Sequence, residues 1–239
     1  HLLPRLNGFE ILMASYAVAH LKLDMLLHET GYLHKSEHRL HVYLTNSLEE
    51  SSSEPRTLFA QWLSREATEA NIVKRDCPVM VMIGNPPYSV SSQNNGKWIT
   101  QLISTYKLEL NEKKINLDDD YIKFIRLGQS YVEKNGFGIL AFITNNSFTF
   151  GLTHRQMRKE LMKAFDKIFI LNLHGDLYEN IRDKDENVFD ITKGVSINIF
   201  IKSSKRKIDL ADVFYYDIVG NRSYKYDFLD NNSLQSIKW

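Results

Sequence analysis

Short unbroken apolar runs alternate along this chain with longer stretches whose apolar residues recur at helical spacing. Residues 79–83 (VMVMI) run into Gly84 with no polar alternation, the pattern of a strand buried on both faces. Residues 138–143 (GILAFI), 167–173 (KIFILNL) and 195–201 (VSINIFI) predict further strands. Residues 6–12 (LNGFEIL) and 40–45 (LHVYLT) predict shorter ones, ending near Glu10 and at Asn46. Helices are predicted over 14–27, which Gly31 stops, and over 58–73, 121–134 and 153–165. The carboxylates of Asp118, Asp119 and Asp120 suit the positive end of the helix dipole at 121 and are read as capping groups. This alternation predicts an α/β fold, a doubly wound and mostly parallel sheet with helices on both faces. Glu10, Asn46, Asn85 and Asn145 fall at strand ends, so polar groups are expected along one sheet edge.

The run at 79–84 is followed by Asn85-Pro86-Pro87-Tyr88. Two prolines cannot extend a strand, because each lacks an N–H and fixes φ. The sheet must stop at Asn85, leaving an amide, rigid backbone carbonyls and an aromatic ring at its C-terminal edge, where open α/β sheets bind ligands. The amide oxygen and the carbonyl accept hydrogen bonds, and Tyr88 offers a stacking face. That set suits a flat ring bearing an amine, such as adenine. The plainer reading of the same residues is a rigid turn with Tyr88 as a lid on the core. Residues 89–96 (SVSSQNNG) form a polar loop directly afterwards, of the kind that serves as a lid or substrate contact.

At 239 residues the chain has ample length for one α/β core. No apolar run approaches a membrane span, and the N-terminus lacks a signal-peptide layout. The single cysteine, Cys77, excludes an internal disulfide and fits a reducing cytoplasm. A net charge of +1 carries no global signature of nucleic-acid binding, which leaves a local basic cleft or a separate domain to supply any such attraction. The start at His1 and the end at Trp239 suggest a piece of a larger protein.

Three other groups carry a bland reading beside a functional one. Glu10 at a strand end suits either the two hydroxyls of a ribose or a cap for the helix from 14. Gly136-Phe137-Gly138 precedes a strand instead of opening a helix, so it is a helix C-terminal turn and not a phosphate loop. His34, His38 and His41 lie among Lys35, Glu37 and Arg39 with no cysteine nearby, which marks a solvated turn and not a metal site.

Taken in order, the blocks LPRLNGFEILMASYAVAHLKL, HVYLTNSLEE, VMIGNPPYSVSSQNNG, YIKFIRLGQSYVEKNGFGILAFITNNSF and ENVFDITKGVSINIFIK resemble the DNA methyltransferases that modify the exocyclic N6 of adenine. The similar branch is that of large single-chain restriction–modification enzymes, notably the type ISP helicase–methyltransferase fusions, and coverage runs from about residue 3 to 202. The resemblance implies a Rossmann-like class I methyltransferase fold using S-adenosylmethionine. Asn85, Pro86, Pro87 and Tyr88 match the catalytic target-adenine motif, and Glu10 the acid that binds the cofactor's ribose. Asn46 matches a position near the cofactor's adenine where relatives commonly carry Asp. Phe148 is a candidate second aromatic wall for the base, or else a core residue. The family's first strand and Gly-rich turn would precede the Glu10 block and have no counterpart here.

The resemblance further implies a methyltransferase core over 1–203 and a connecting segment over 204–239 leading toward a target-recognition domain. The expected partners are double-stranded DNA with its adenine flipped out, and helicase and nuclease domains upstream in the same chain. The expected location is the bacterial cytoplasm, with no membrane and no metal involved. The 239-residue piece is expected to be inactive alone, to bind cofactor weakly, and to expose apolar surface at an unpaired sheet edge. Two alternatives stand beside this: a catalytically silent module of the same fold acting in DNA recognition or assembly, and an amino-group methyltransferase acting on RNA or protein.

Overall fold

The computed structural model describes residues 2–32, 39–50, 60–88, 92–112, 117–177, 185–205 and 209–239. They fall into two units, His1–Cys77 and Pro78–Trp239. The loop expected at 51–55, His34, His38 and the stretch 89–91 of the polar loop lie outside the described residues.

In the first unit β1 (Gly8–Glu10) pairs in parallel with β2 (Val42–Leu44), with Gly8 opposite Val42 and Glu10 opposite Leu44. Helices α1 (Met13–Glu29) and α2 (Ala60–Arg75) accompany them. Tyr43 packs with Ala70 and Val73 of α2, and Phe9 joins that cluster. Glu66 is buried on α2, where it pairs with Arg39 and accepts the Leu44 amide at 3.3 Å. A buried carboxylate persists only with such partners. Helix α1 meets the expected span, yet Val18, Leu21, Met25 and Leu26 on it are exposed.

The second unit holds a sheet in the order β3-β4-β6-β5-β7. Its strands are β3 (Val81–Gly84), β4 (Gly138–Asn145), β5 (Lys167–His174), β6 (Val195–Lys202) and β7 (Asp212–Asp217). β3 runs parallel to β4 and β5 parallel to β7, while β6 lies antiparallel between β4 and β5. The C-terminal ends of β3, β4, β5 and β7 therefore share one edge. Helices α3 (Lys97–Lys107), α4 (Asp120–Asn135), α5 (Arg155–Ala164) and α6 (Arg222–Asn231) complete the unit. Ile122 and Ile125 of α4 meet Leu140 and Phe142 of β4, Met157 and Leu161 of α5, and Phe200 of β6 in one core.

Several expectations change on folding. The mixed α/β class with largely parallel pairing holds, but β3 is an outer strand, and Val81 and Ile83 are 55% and 79% exposed instead of buried on both faces. An unbroken apolar run reports what a strand contains, not how many neighbours it acquires. Residues from 204 onward, expected as a connector, contribute β7 and α6 to the second unit. Their pattern is weak because β7 is short and largely exposed, with an aspartate at each end. Helix α3 was not predicted either.

The three aspartates before α4 do three different things. Asp119 caps, accepting the Tyr121 amide, whereas Asp118 pairs with Lys107 at 2.7 Å and Asp120 turns to the loop at Ser92. Gly136 closes the helix at φ 81°, as expected for a C-terminal glycine. The basic helix α5 is neutralised locally: Arg155 pairs with Glu112, Lys159 with Glu109 and Lys163 with Glu160, and Arg158 donates to the carbonyls of Phe148 and Gly151. No described helix is long and apolar enough to cross a membrane.

His154, just before α5, is buried near Tyr121, and burial, with Arg158 adding to it, pulls its pKa down to about 4. The unfolded chain then binds a proton that the fold does not, so stability falls as pH drops from the ordinary 6.5 toward 4. We expect about 2 kcal/mol to be lost from this residue between roughly pH 7.5 and pH 5. Urea unfolding of wild type and His154→Gln at both pH values checks it; equal losses in the two proteins would assign the pH effect elsewhere.

Candidate active site

β3 ends against β4 through Gly84, where an added Cβ would lie 3.2 Å from the Phe142 ring. The two prolines then carry the chain off the ladder. Asn85 and Pro87 are exposed, Pro86 is buried and Tyr88 is half-buried. The Tyr88 ring packs on the core, and its hydroxyl donates to Asn85 Oδ1 at 2.8 Å and lies 3.4 Å from the Ile143 carbonyl of β4. Burial pushes the Tyr88 pKa up to about 12, so the hydroxyl stays protonated and a donor. That bond orients the Asn85 amide with its oxygen toward Tyr88. An amide oxygen has two acceptor sites, so one remains for a ligand.

Asn145, at the end of β4, sits on the same edge but is buried and self-contained: its Oδ1 accepts from the Ser147 amide at 2.8 Å and the Ser147 hydroxyl at 2.6 Å. Asn146 reaches Asn172 Oδ1 at 3.0 Å. Phe148 is 2% exposed in the core, so its ring is enclosed and not presented at the edge.

Sequence reasoning missed a polar group at the ends of β5 and β7. His174 Nε2 lies 2.7 Å from Asp217 Oδ1, which also accepts from the Tyr215 hydroxyl at 2.8 Å, and buried Asn172 donates to that hydroxyl at 2.9 Å. The parallel register Asn172–Asp217 creates the group. The sole sequence signal is the spacing of Tyr215 and Asp217, two apart and so on one face of β7. His174 holds φ 52°, and Gly175 follows at φ 83° with Asn187 backbone where a Cβ would be. Lys225 of α6, fully buried, pairs with Asp185 and donates to the carbonyls of Leu173 and Glu186, tying down the chain that returns to β6.

In the first unit the parallel pair β1–β2 brings Glu10 and Asn46 to neighbouring strand ends. Glu10 Oε1 accepts the Leu12 amide at 2.8 Å, one residue before α1, and no side chain caps that helix. Asn46 Oδ1 accepts the Leu48 amide at 3.0 Å, and its Nδ2 donates to Glu49 at 3.2 Å. Holding this turn is Lys74, also missed: its buried ammonium donates to Thr45 Oγ1 at 2.8 Å, the Asn46 carbonyl at 2.7 Å and the Glu49 carbonyl at 3.1 Å. Burial lowers the Lys74 pKa to about 8, with Glu49 acting the other way. Among the described residues no group of three His, Cys, Asp or Glu is placed to hold a metal.

A sheet edge with an oriented amide, rigid prolines and a half-buried tyrosine sits within a matched family region. The Eco57I restriction-modification methylase family matches residues 7–177, and the chain belongs to it. Among solved structures it is similar to the ATP-dependent type ISP restriction-modification enzyme LlaBIII bound to DNA, at 26% identity and TM-score 0.79 over 94% of this chain and 16% of that one. It is also similar to the DrdV–DNA complex, at 26% identity and TM-score 0.80, covering 97% of this chain and 23% of that one. A nuclease-deletion mutant of the type ISP enzyme LlaGI with a DNA substrate mimic shares the fold, at 23% identity and TM-score 0.80 over 98% of this chain and 20% of that one. The chain thus spans less than a quarter of these relatives. No curated protein matches it.

Lys74→Met keeps the apolar stem but removes the ammonium that Thr45 Oγ1 and the carbonyls of Asn46 and Glu49 share. We expect a loss of roughly 1–3 kcal/mol and faster hydrogen exchange at the Thr45 and Leu48 amides. Hydrogen–deuterium exchange reads this directly, and unchanged protection of the turn would contradict it.

Proposed function

We propose that this chain is the methylase part of a larger restriction–modification protein and methylates the exocyclic N6 of adenine in DNA, with S-adenosylmethionine as donor. Membership of the methylase family makes DNA methylation the class of activity. What favours an amine as target is the Tyr88–Asn85 hydrogen bond, which presents an oriented acceptor at the sheet edge.

Adenine's amine is a weak nucleophile because its lone pair is delocalised into the ring. Asn85 Oδ1 and the Pro86 carbonyl hydrogen-bond its two hydrogens, which favours a tetrahedral, more reactive nitrogen. The prolines fix both acceptors before substrate arrives, so little reorganisation is left for the reaction. The amine gives up one of these hydrogens as a proton to solvent when methylated. Because that amine lies inside the duplex, the base must leave the stack, and Tyr88 is the ring on which it stacks. Phe148 is too enclosed to serve as a second wall.

The donor supplies an electrophilic methyl group on a sulfonium. The residues in β1 and β2 fit a nucleoside: a carboxylate and an amide at neighbouring strand ends suit ribose hydroxyls and an adenine ring. Glu10 would hold the ribose and Asn46 the adenine, with Lys74 setting the Asn46 turn. A restriction–modification role would have the chain work in the cytoplasm of a bacterial cell.

In the full restriction–modification protein, Asn85→Ala should abolish methyl transfer while leaving donor binding within about twofold, because the lost acceptor acts on the target amine. Tyr88→Ala should weaken capture of the flipped base by roughly 1–3 kcal/mol, whereas Tyr88→Phe keeps stacking and loses only orientation of the amide. Tritium incorporation into DNA and 2-aminopurine fluorescence at the target position separate these effects. Undiminished transfer by Asn85→Ala would rule out the role.

A further inference from the structure

Four residues beyond Tyr88, the chain is fastened to the first turn of α4 by two charged side chains, Lys123 and Asp120, the second of which the sequence pattern marked as a capping group. Lys123 is 2% exposed, and its ammonium donates to Ser92 Oγ at 2.9 Å, the Asn94 carbonyl at 2.6 Å and Asn95 Oδ1 at 3.2 Å. Asp120, 7% exposed, accepts from Ser92 Oγ at 2.5 Å and from Asn94 Nδ2 at 2.9 Å on one oxygen. The Ser92 hydroxyl therefore stands between them, receiving from Lys123 and giving to Asp120, while the Asn94 amide also closes on it at 3.0 Å. All three ammonium hydrogens have acceptors in one short segment.

We propose that Asp120 and Lys123 form a latch that positions the Asn85–Tyr88 acceptor site from its C-terminal side, a role that rests on the methylase reading above. The motif is held upstream by the β3–β4 ladder, with Gly84 opposite Phe142. Downstream it is held by α4, which packs on the same β4 strand so closely that a Cβ on Gly128 would lie 2.4 Å from a methyl of Leu140. The motif thus lies between two anchors on β4, the β3–β4 ladder before it and α4 after it. Three residues separate Tyr88 from Ser92, so anchoring Ser92 bounds how far the exit of the motif can travel. Stability alone is a poor reason for the latch, because buried charges cost desolvation and an apolar contact at such a place is often as stable. A positional constraint on an acceptor pair is a better one, since misplacement by about 1 Å can cost a hundredfold in rate.

The test uses the full restriction–modification protein and the least disruptive variant. Ser92→Ala removes the shared hydroxyl, Ser92→Thr keeps it, and Asp120→Ala removes one anchor. Single-turnover methyl transfer to adenine-containing DNA should fall about tenfold or more in Ser92→Ala and Asp120→Ala, with donor affinity within twofold, and should recover in Ser92→Thr. The Ser92→Ala/Asp120→Ala double variant should be no slower than the worse single one, because both break one device. Rates unchanged at a temperature where the variants are folded, even with a lower melting temperature, overturn the latch and leave only a structural contact. Wild-type protein that transfers no methyl to adenine overturns the methylase reading and the latch together, whereas active wild type with an equally active Ser92→Ala overturns the latch alone.

Discussion

The termination of β3 is the constraint on which the rest of the second unit's chemistry depends. Pro86 and Pro87 cannot join the ladder that β3 forms with β4, so the chain must leave at Asn85, at the edge shared by the ends of β4, β5 and β7. Once there, the motif has few ways to move. Pro86 is buried, and Tyr88 hydrogen-bonds Asn85 and approaches the backbone of β4. Rigidity of this kind is what a weakly nucleophilic amine requires of its acceptors.

Within each unit, buried lysines recur as anchors for segments that follow strand ends. Lys74 gathers the turn after β2, Lys123 the segment after the Asn-Pro-Pro-Tyr motif, and Lys225 the chain between β5 and β6. Each spends its three hydrogens largely on main-chain carbonyls and short polar side chains. A loop cannot bury its backbone without partners, and an ammonium on a long apolar stem supplies several donors from inside a helix. The protein thereby fixes irregular segments without extending a strand or helix through them.

Local patterns in the chain went a long way. The alternation of apolar runs and helical spacing carried the α/β class, the apolar runs at 138–143, 167–173 and 195–201 fell inside strands, and Gly136 ended α4 as a glycine should. The Asn85-Pro86-Pro87-Tyr88 motif marked the sheet edge, and the ordered blocks marked the methylase family that matches residues 7–177. All of these are consequences of covalent limits or of periodicity within one element, and such consequences need no knowledge of what the element will touch. What the sequence could not reveal was pairing between distant elements. Placement of β3 at the outside of its sheet, the antiparallel insertion of β6 and the β5–β7 register that assembles Asn172, His174, Tyr215 and Asp217 depend on neighbours far away in the chain. The same holds for side chains whose role depends on what lies opposite. Phe148 went into the core, Asp120 left its capping position for Ser92, and Lys123 is buried under the segment that it holds. A residue's type limits the bonds it can make, but only the tertiary structure decides which partner is within 3 Å.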